Sequence, residues 1–132
     1  MIYNFLNEDE ELAVLMSNHR EINEDGENMI FTFVIREDYQ KQQYTPAIRL
    51  TPITQIDINW SDFDSQDYEL HFSLEIFSKT ITIGNEISTY IVDKLKNELN
   101  CIRTSHSLQY DEKLDVYNTF MRFKIIVEKG DI

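Results

Sequence analysis

Three aspartates in the middle of the sequence resemble the start of a calcium-binding loop. Asp62, Asp64 and Asp67 would occupy its first, third and sixth positions. Such a loop needs glycine at the sixth position for a sharp turn and a bidentate glutamate at the twelfth, where this chain has Asp67 and Ser73. The spacing therefore predicts no calcium site, and these aspartates are expected in an acidic loop.

The other side chains that could do chemistry are dispersed along the chain. His19, His71 and His106 fall in different predicted elements and lack the short spacing of metal ligands. Cys101 is the only cysteine, and it opens an apolar stretch, which is typical of a small buried hydrophobic residue. The sequence has neither a nucleophile elbow nor a glycine-rich phosphate loop. It therefore predicts no enzyme, no metal site and no cofactor.

A strand followed by a helix is the clearest structural pattern. From Tyr68 to Ile76 apolar and polar residues alternate, which predicts a strand with one buried face and a solvated face that carries Ser73 and Glu75. A turn is predicted at Lys79–Gly84. Apolar residues then recur at helical spacing, at Ile87, Tyr90, Ile91, Leu95 and Leu99. This succession predicts a single sheet covered by helices on one face.

Shorter patterns predict the remaining elements. Two short helices are expected before Asn18, with Asn7 and Glu10 as a capping pair between them. Strands are predicted at Met29–Arg36, Ala47–Thr51 (which Ile53–Ile58 could extend), Cys101–Tyr110 and Tyr117–Glu128. Pro46 and Pro52 mark the second of these as an edge strand or one that ends early. The prediction is one α+β domain, residues 1–132, with a mostly antiparallel four- to five-stranded sheet and two helical segments packed on one face.

The chain is strongly acidic, with 24 Asp and Glu against 12 Lys and Arg and a formal net charge of −12. Eight carboxylates precede Ile35 with a single base, Arg20, and six more lie between Arg49 and Lys79 with no base among them. Such a surface repels nucleic acid unless the protein imitates DNA or lets DNA slide past it. The simpler interpretation is a solvated acidic surface that keeps the protein soluble.

Membrane and secretion signals are not found in the sequence. No apolar run approaches the roughly 18 residues of a spanning helix. The N-terminus has no basic region ahead of an apolar one. The sequence thus predicts that the protein is made in the cytoplasm and has no membrane partner.

Several strings, in their order along the chain, resemble the tail-terminator proteins of long-tailed bacteriophages, also called tail-completion or head-to-tail joining proteins. The strings are IYNFLNEDEELAVLM, YTPAIRLTPI, LHFSLEIFSK, IVDKLKNEL and YDEKLDVYNTFMRFKIIVEK. They cover nearly the whole chain and are patterns of residue type, not a catalytic signature.

The resemblance implies a structural virion protein made in the host cytoplasm. Such a protein assembles with copies of itself into a ring, a hexamer in this family, that caps the finished tail tube and joins tail to head. Its other partners would be the tail tube protein and the head-side connector protein, and genome DNA would pass through without specific binding.

Two polar segments without glycine, Glu37–Tyr44 and Trp60–Gln66, are the predicted places of partner contact. Each carries an aromatic residue of the type that interfaces favour, with polar residues around it. The candidate contact residues are Gln40, Gln43, Tyr44, Trp60, Asp62 and Asp64. The alternative is that both segments are ordinary surface loops, Glu37–Thr45 as a hairpin tip or as a segment that orders only against a partner.

Two other functions fit the composition. A DNA-mimicking inhibitor of a host nuclease or defence system would explain the charge, but it needs its carboxylates on one contiguous face. An intracellular protein-binding module would need only an exposed contact surface. The position of the two acidic blocks relative to each other discriminates the first of these from a ring subunit.

Overall fold

A computed structural model describes residues 2–23, 28–61 and 64–128, and for 57–61, 64–66 and 128 it describes the backbone alone. Within these residues the chain forms a five-stranded mixed sheet and three α-helices, which confirms the α+β class. In chain order the elements are α1 (Ile2–Asn7), α2 (Glu10–Asn18), β1 (Ile30–Thr32), 3-10 turns at Glu37–Tyr39 and Gln42–Tyr44, β2 (Ala47–Ser61), β3 (Asp64–Ser78), α3 (Ile81–Leu99), β4 (Ile102–Asp111) and β5 (Val116–Glu128).

The strand order is β1-β2-β3-β5-β4. The short β1 runs parallel to β2, and every other neighbouring pair is antiparallel. The strands β2 and β3 are 15 residues each and form one long hairpin. Since β5 pairs with β3 only as far as Asp67↔Glu128, the described hairpin arms beyond that pair are bonded only to each other.

The hairpin corrects one prediction and, at Ile53–Ile58, confirms the extension that the alternation allowed. The predicted acidic loop Trp60–Gln66 is largely strand, because Trp60 pairs with Ser65 and Ser61 with Asp64. The predicted short strand at Ala47–Thr51 continues through Pro52, where a β-bulge shifts the register before Thr54. Proline is tolerated there because β1 has already ended and that side of β2 is an edge.

All three helices pack on one face of the sheet, and the main core lies between these layers. The buried positions predicted for Phe72 and Leu74, with Ile91 and Leu95 opposite, are confirmed. The stacked rings of Phe72 and Phe123, 5.3 Å apart, join β3 to β5 within this core. The alternating apolar side of β5 is also buried as predicted, at Thr119, Met121, Phe123, Ile125 and Val127.

The helix α3 begins three residues before the end of the turn predicted at Lys79–Gly84. Thr80 is its N-cap, and the hydroxyl of Thr80 accepts a hydrogen bond from the amide of Ile83 at 3.2 Å. Gly84 is then needed for close packing. A Cβ atom there would lie 2.9 Å from the hydroxyl oxygens of both Ser78 and Thr119.

The cap of α2 is Asp9, and the predicted Asn7–Glu10 pair is wrong because Asn7 ends α1. The Asp9 carboxylate accepts from the amides of Glu11 and Leu12 at 3.0 and 3.2 Å. It also accepts from the hydroxyl of Tyr90 at 2.8 Å, which ties α2 to α3. Burial, together with this carboxylate, raises the pKa of the Tyr90 phenol.

The second face of the sheet is not wholly solvated, contrary to prediction. A second cluster covers one end of it, made of Met29, Phe31, Ile35, Ala47, Phe77 and Val116 with Tyr39, Tyr44 and Leu114 around them. Ser73 and Glu75, predicted to be solvated, are buried on this face. The predicted strand Met29–Arg36 shrinks to three residues because Phe33 has a φ of 68° and turns the chain away.

Candidate functional site

The groups that could do chemistry do not converge in the described part of the chain. His19 contacts Glu86 at 3.1 Å, and His71 contacts Glu69 at 2.9 Å. His106 lies apart from both, exposed on β4. No group of three or more His, Cys, Asp or Glu among the described residues is placed to hold a metal ion.

Cys101 is buried at the start of β4, as predicted. Burial raises the pKa of its thiol to about 12. Because the thiolate is the nucleophilic form, this cysteine has the character of a core residue.

A buried polar network lies on the second face of the sheet. Glu75 accepts hydrogen bonds from the Nε of Arg49 and, at 3.2 Å, from the amide of Asn118. The guanidinium of Arg49 also lies over the ring of Phe77, 5.4 Å from its centroid. These contacts satisfy the Glu75 carboxylate and fix β2, β3 and β5 to one another, so the network has a structural role.

Three of the predicted contact residues lie on a segment that packs against this chain itself. Gln40 donates to the backbone carbonyl of Ile35 at 2.7 Å, and the carbonyl of Gln43 accepts from the amide of Ile22 at 3.2 Å. The ring of Tyr44 stands edge-on to that of Tyr39, 5.1 Å away. The Glu37–Tyr44 segment is therefore two 3-10 turns packed against its own chain and not a hairpin tip, and its exposed surface is still predicted to contact a partner.

The other predicted contact residues lie at the tip of the β2–β3 hairpin. Trp60 is in β2 and Asp64 begins β3, while Asp62 lies outside the described residues. Since Asp64–Ser78 is one continuous strand, the backbone there is not a calcium-binding loop.

The first open surface is the outer edge of β2. Beyond Leu50 this edge has no strand partner among the described residues. A largely apolar groove of about 520 Å³ runs beside it, lined by Ile2, Tyr3, Leu50, Pro52, Ile53 and Leu70 among others. Of the residues that line it, Ile53 is 45% exposed.

The second open surface is β4, at the opposite edge of the sheet. Its residues from Ile102 to Tyr110 are all exposed. Three of them are large and apolar: Ile102, Leu108 and Tyr110. Leu108 and Tyr110 pair with Thr119 and Tyr117 and share one face of the sheet, whereas Ile102 pairs with Lys124 and lies on the other face. Exposed apolar side chains on a sheet edge are typical of a contact surface. The prolines that flank Ala47–Thr51 indicate the edge at β2, but the sequence has no comparable signal for the edge at β4, because strand order decides which strands lie outermost.

No protein-family model matches this chain, and no curated protein matches it significantly. The tail-terminator resemblance therefore stays a prediction.

The two acidic blocks lie on different parts of the molecule as far as they are described. Glu8, Glu10 and Glu11 surround the start of α2 in the helical layer. Asp57, Asp64 and Asp67 are residues of the β2–β3 hairpin.

None of the described helices combines the length and apolarity that crossing a lipid bilayer requires.

Proposed function

We propose that this protein is a ring-forming structural subunit, the tail terminator of a long-tailed bacteriophage, which caps the tail tube and joins the tail to the head. The observation that carries the proposal is the pair of different open surfaces at opposite edges of one sheet. A two-fold dimer needs one self-complementary patch, whereas a closed ring needs two different patches that fit each other. Two different open edges suit the second arrangement.

The end of the β2–β3 hairpin is a further proposed contact. It carries Trp60, in β2, and aromatic residues are common anchors of contacts between subunits. We expect this end to meet an adjacent subunit or the end of the tail tube.

The charge fits the passage of DNA. A ring that the genome crosses must not hold phosphate groups, and a net charge of −12 per chain keeps them from binding. The separation of the described acidic blocks gives less support to a DNA mimic, which needs one contiguous acidic face. The remaining partners, the tail tube protein and the head-side connector protein, follow from the family resemblance.

Deleting the gene from its phage tests this function. We expect DNA-filled heads without tails and separate tails of abnormal length in electron micrographs of the lysate, with normal virions restored by a plasmid-borne copy. Normal, fully joined virions from the deletion would contradict the proposal. A purified chain that instead binds a DNA-processing nuclease tightly would support the mimic.

A further inference from the structure

The free edge of β2 and its groove lack an occupant within the described chain. The 3-residue β1 covers only the start of β2, and Phe33 then turns the chain away. Pro52 has no amide hydrogen and adjoins the bulge, so an added strand could form a regular ladder only from Thr54 onward. This leaves a backbone edge from Thr54 to Ser61 with an apolar groove at its beginning.

We propose that β4 of a second copy adds to this edge, antiparallel to β2, so that the sheet continues from one subunit to the next. The inference rests on the proposed ring and names the contact that closes it. The side chains of Leu108 and Tyr110 would then cover the groove of the neighbouring subunit. Strand addition of this kind takes its affinity from main-chain hydrogen bonds and its specificity from side-chain pockets.

Strand direction agrees with this contact. In the order β1-β2-β3-β5-β4, the strand β5 is parallel to β2 and β4 is antiparallel to it. In the proposed ring, a rotation about an axis parallel to the strands relates each subunit to the next. Such a rotation preserves strand direction, so β4 of one subunit meets β2 of the next in antiparallel orientation. Antiparallel pairing is the slightly more stable ladder.

The faces of the sheet agree as well. Leu108 pairs with Thr119, which lies on the helical face, and Tyr110 shares that side of β4. The groove opens on the same face, since Ile2 and Tyr3 of α1 line it. The same rotation keeps all helical layers on one side, so these two side chains arrive where the groove is.

Charge agrees with this contact. The free part of the β2 edge, from Thr54 to Ser61, carries one carboxylate, Asp57, and no Lys or Arg. From Ile102 to Tyr110 the strand β4 carries Arg103 and His106 and no carboxylate. A contact between β4 and β2 thus joins an edge with a carboxylate to one with a guanidinium, whereas two β4 edges would bring like charges together.

Two single substitutions that each block one edge test the contact. Leu108→Asp alters β4 and Ile53→Asp alters the groove, at side chains 47% and 45% exposed, so the fold should tolerate both. Val14→Asp, at a 58% exposed position on α2, is the matched control for the added charge. Association is measured by sedimentation velocity, and folding by circular dichroism and the thermal midpoint.

We expect each blocked variant alone to associate at least about tenfold more weakly than the wild type, while Val14→Asp assembles normally. Mixed in equal amounts, the two blocked variants should form a dimer that cannot grow, because each supplies one intact edge. A variant whose midpoint falls by several degrees is replaced by Leu108→Ser or Ile53→Ser.

The outcomes separate this inference from the proposed function. Wild-type rings that persist in both blocked variants would overturn the strand contact and leave the ring in place. Open chains or dimers of the wild type that both substitutions abolish would support the strand contact and overturn the ring. If Ile53→Asp self-associated as strongly as the wild type, the contact would be β4–β4 and the inference would be overturned. A wild type that stays monomeric at every concentration would overturn both the strand contact and the proposed ring.

Discussion

Replacing Arg20 with methionine should destabilise the protein, because its buried guanidinium holds the end of α2 to the segment before β2. The residue is 7% exposed. Its donors reach the backbone carbonyls of Pro46, Tyr44 and Asn28 at 2.8, 3.2 and 3.4 Å and the side-chain oxygen of Asn23 at 3.0 Å. The segment held in this way covers the second cluster of the core.

The magnitude follows from the acceptors that the substitution leaves without a donor. Burial lowers the pKa of Arg20 to about 10, so it carries its charge at neutral pH. Methionine has a similar length but no donor, and each buried acceptor left unpaired costs about 1–3 kcal/mol. Removing the buried charge also removes its desolvation penalty, which offsets part of this cost. The net loss in the free energy of unfolding is therefore about 2–4 kcal/mol. The thermal midpoint should fall by roughly 8–16 °C.

Urea unfolding monitored by circular dichroism measures the loss directly. Arg20→Lys keeps the charge but fewer donors, and its stability should fall between that of the wild type and Arg20→Met. Lys41→Met removes an exposed charge from the same segment and should change stability by less than about 0.5 kcal/mol. If Arg20→Met were as stable as Lys41→Met, these hydrogen bonds would not hold the segment in place.

Four further predictions concern the core and the charge. Leu74→Ala should cost about 2–5 kcal/mol in urea unfolding through the cavity it leaves in the main core. Glu75→Ala should lower the free energy of unfolding by about 1–3 kcal/mol because it leaves the side-chain amide of Asn118 without its acceptor. A loss near zero would contradict the buried network. The Cys101 thiol should react with a disulfide reagent at pH 8 only as the protein unfolds, since its pKa is raised to about 12, and rapid labelling of the folded chain would refute its burial. Assembly should strengthen between about 0.01 and about 1 M salt, as the screening length falls from about 30 to about 3 Å, and sedimentation that shows dissociation with salt would refute charge repulsion as the limit.

Hydrophobic periodicity predicts the strands and helices that bury one side in the core between the helical layer and the sheet. The alternation through Leu74 and the helical stripe through Ile91 and Leu95 follow from burial on one side, and the structure confirms them. The second cluster could not be predicted in this way. Ser73 and Glu75 are predicted to be solvated because they are polar. In the structure, a segment far away in the sequence packs over their face of the sheet, and Arg49 pairs with Glu75.

The candidate contact surfaces were less accessible to sequence reasoning. Gln40 and Tyr44 were singled out as residues of a polar segment without glycine, but the buried Arg20 that fastens this segment gave no local signal. The edges at Ile53 and Leu108 arise from the order of strands, which depends on pairings between residues far apart in the chain. Pro52 was the one local signal, since proline marks an edge or a bulge.

Electron microscopy of the purified chain at high salt tests whether the protein forms a ring. We expect closed rings with a central opening, and the tail-terminator resemblance implies six copies of the 15.8-kDa chain in each ring. Native mass spectrometry of the same sample should give one dominant closed assembly. A monomer at every salt and protein concentration, or a two-fold dimer that does not grow, would contradict it.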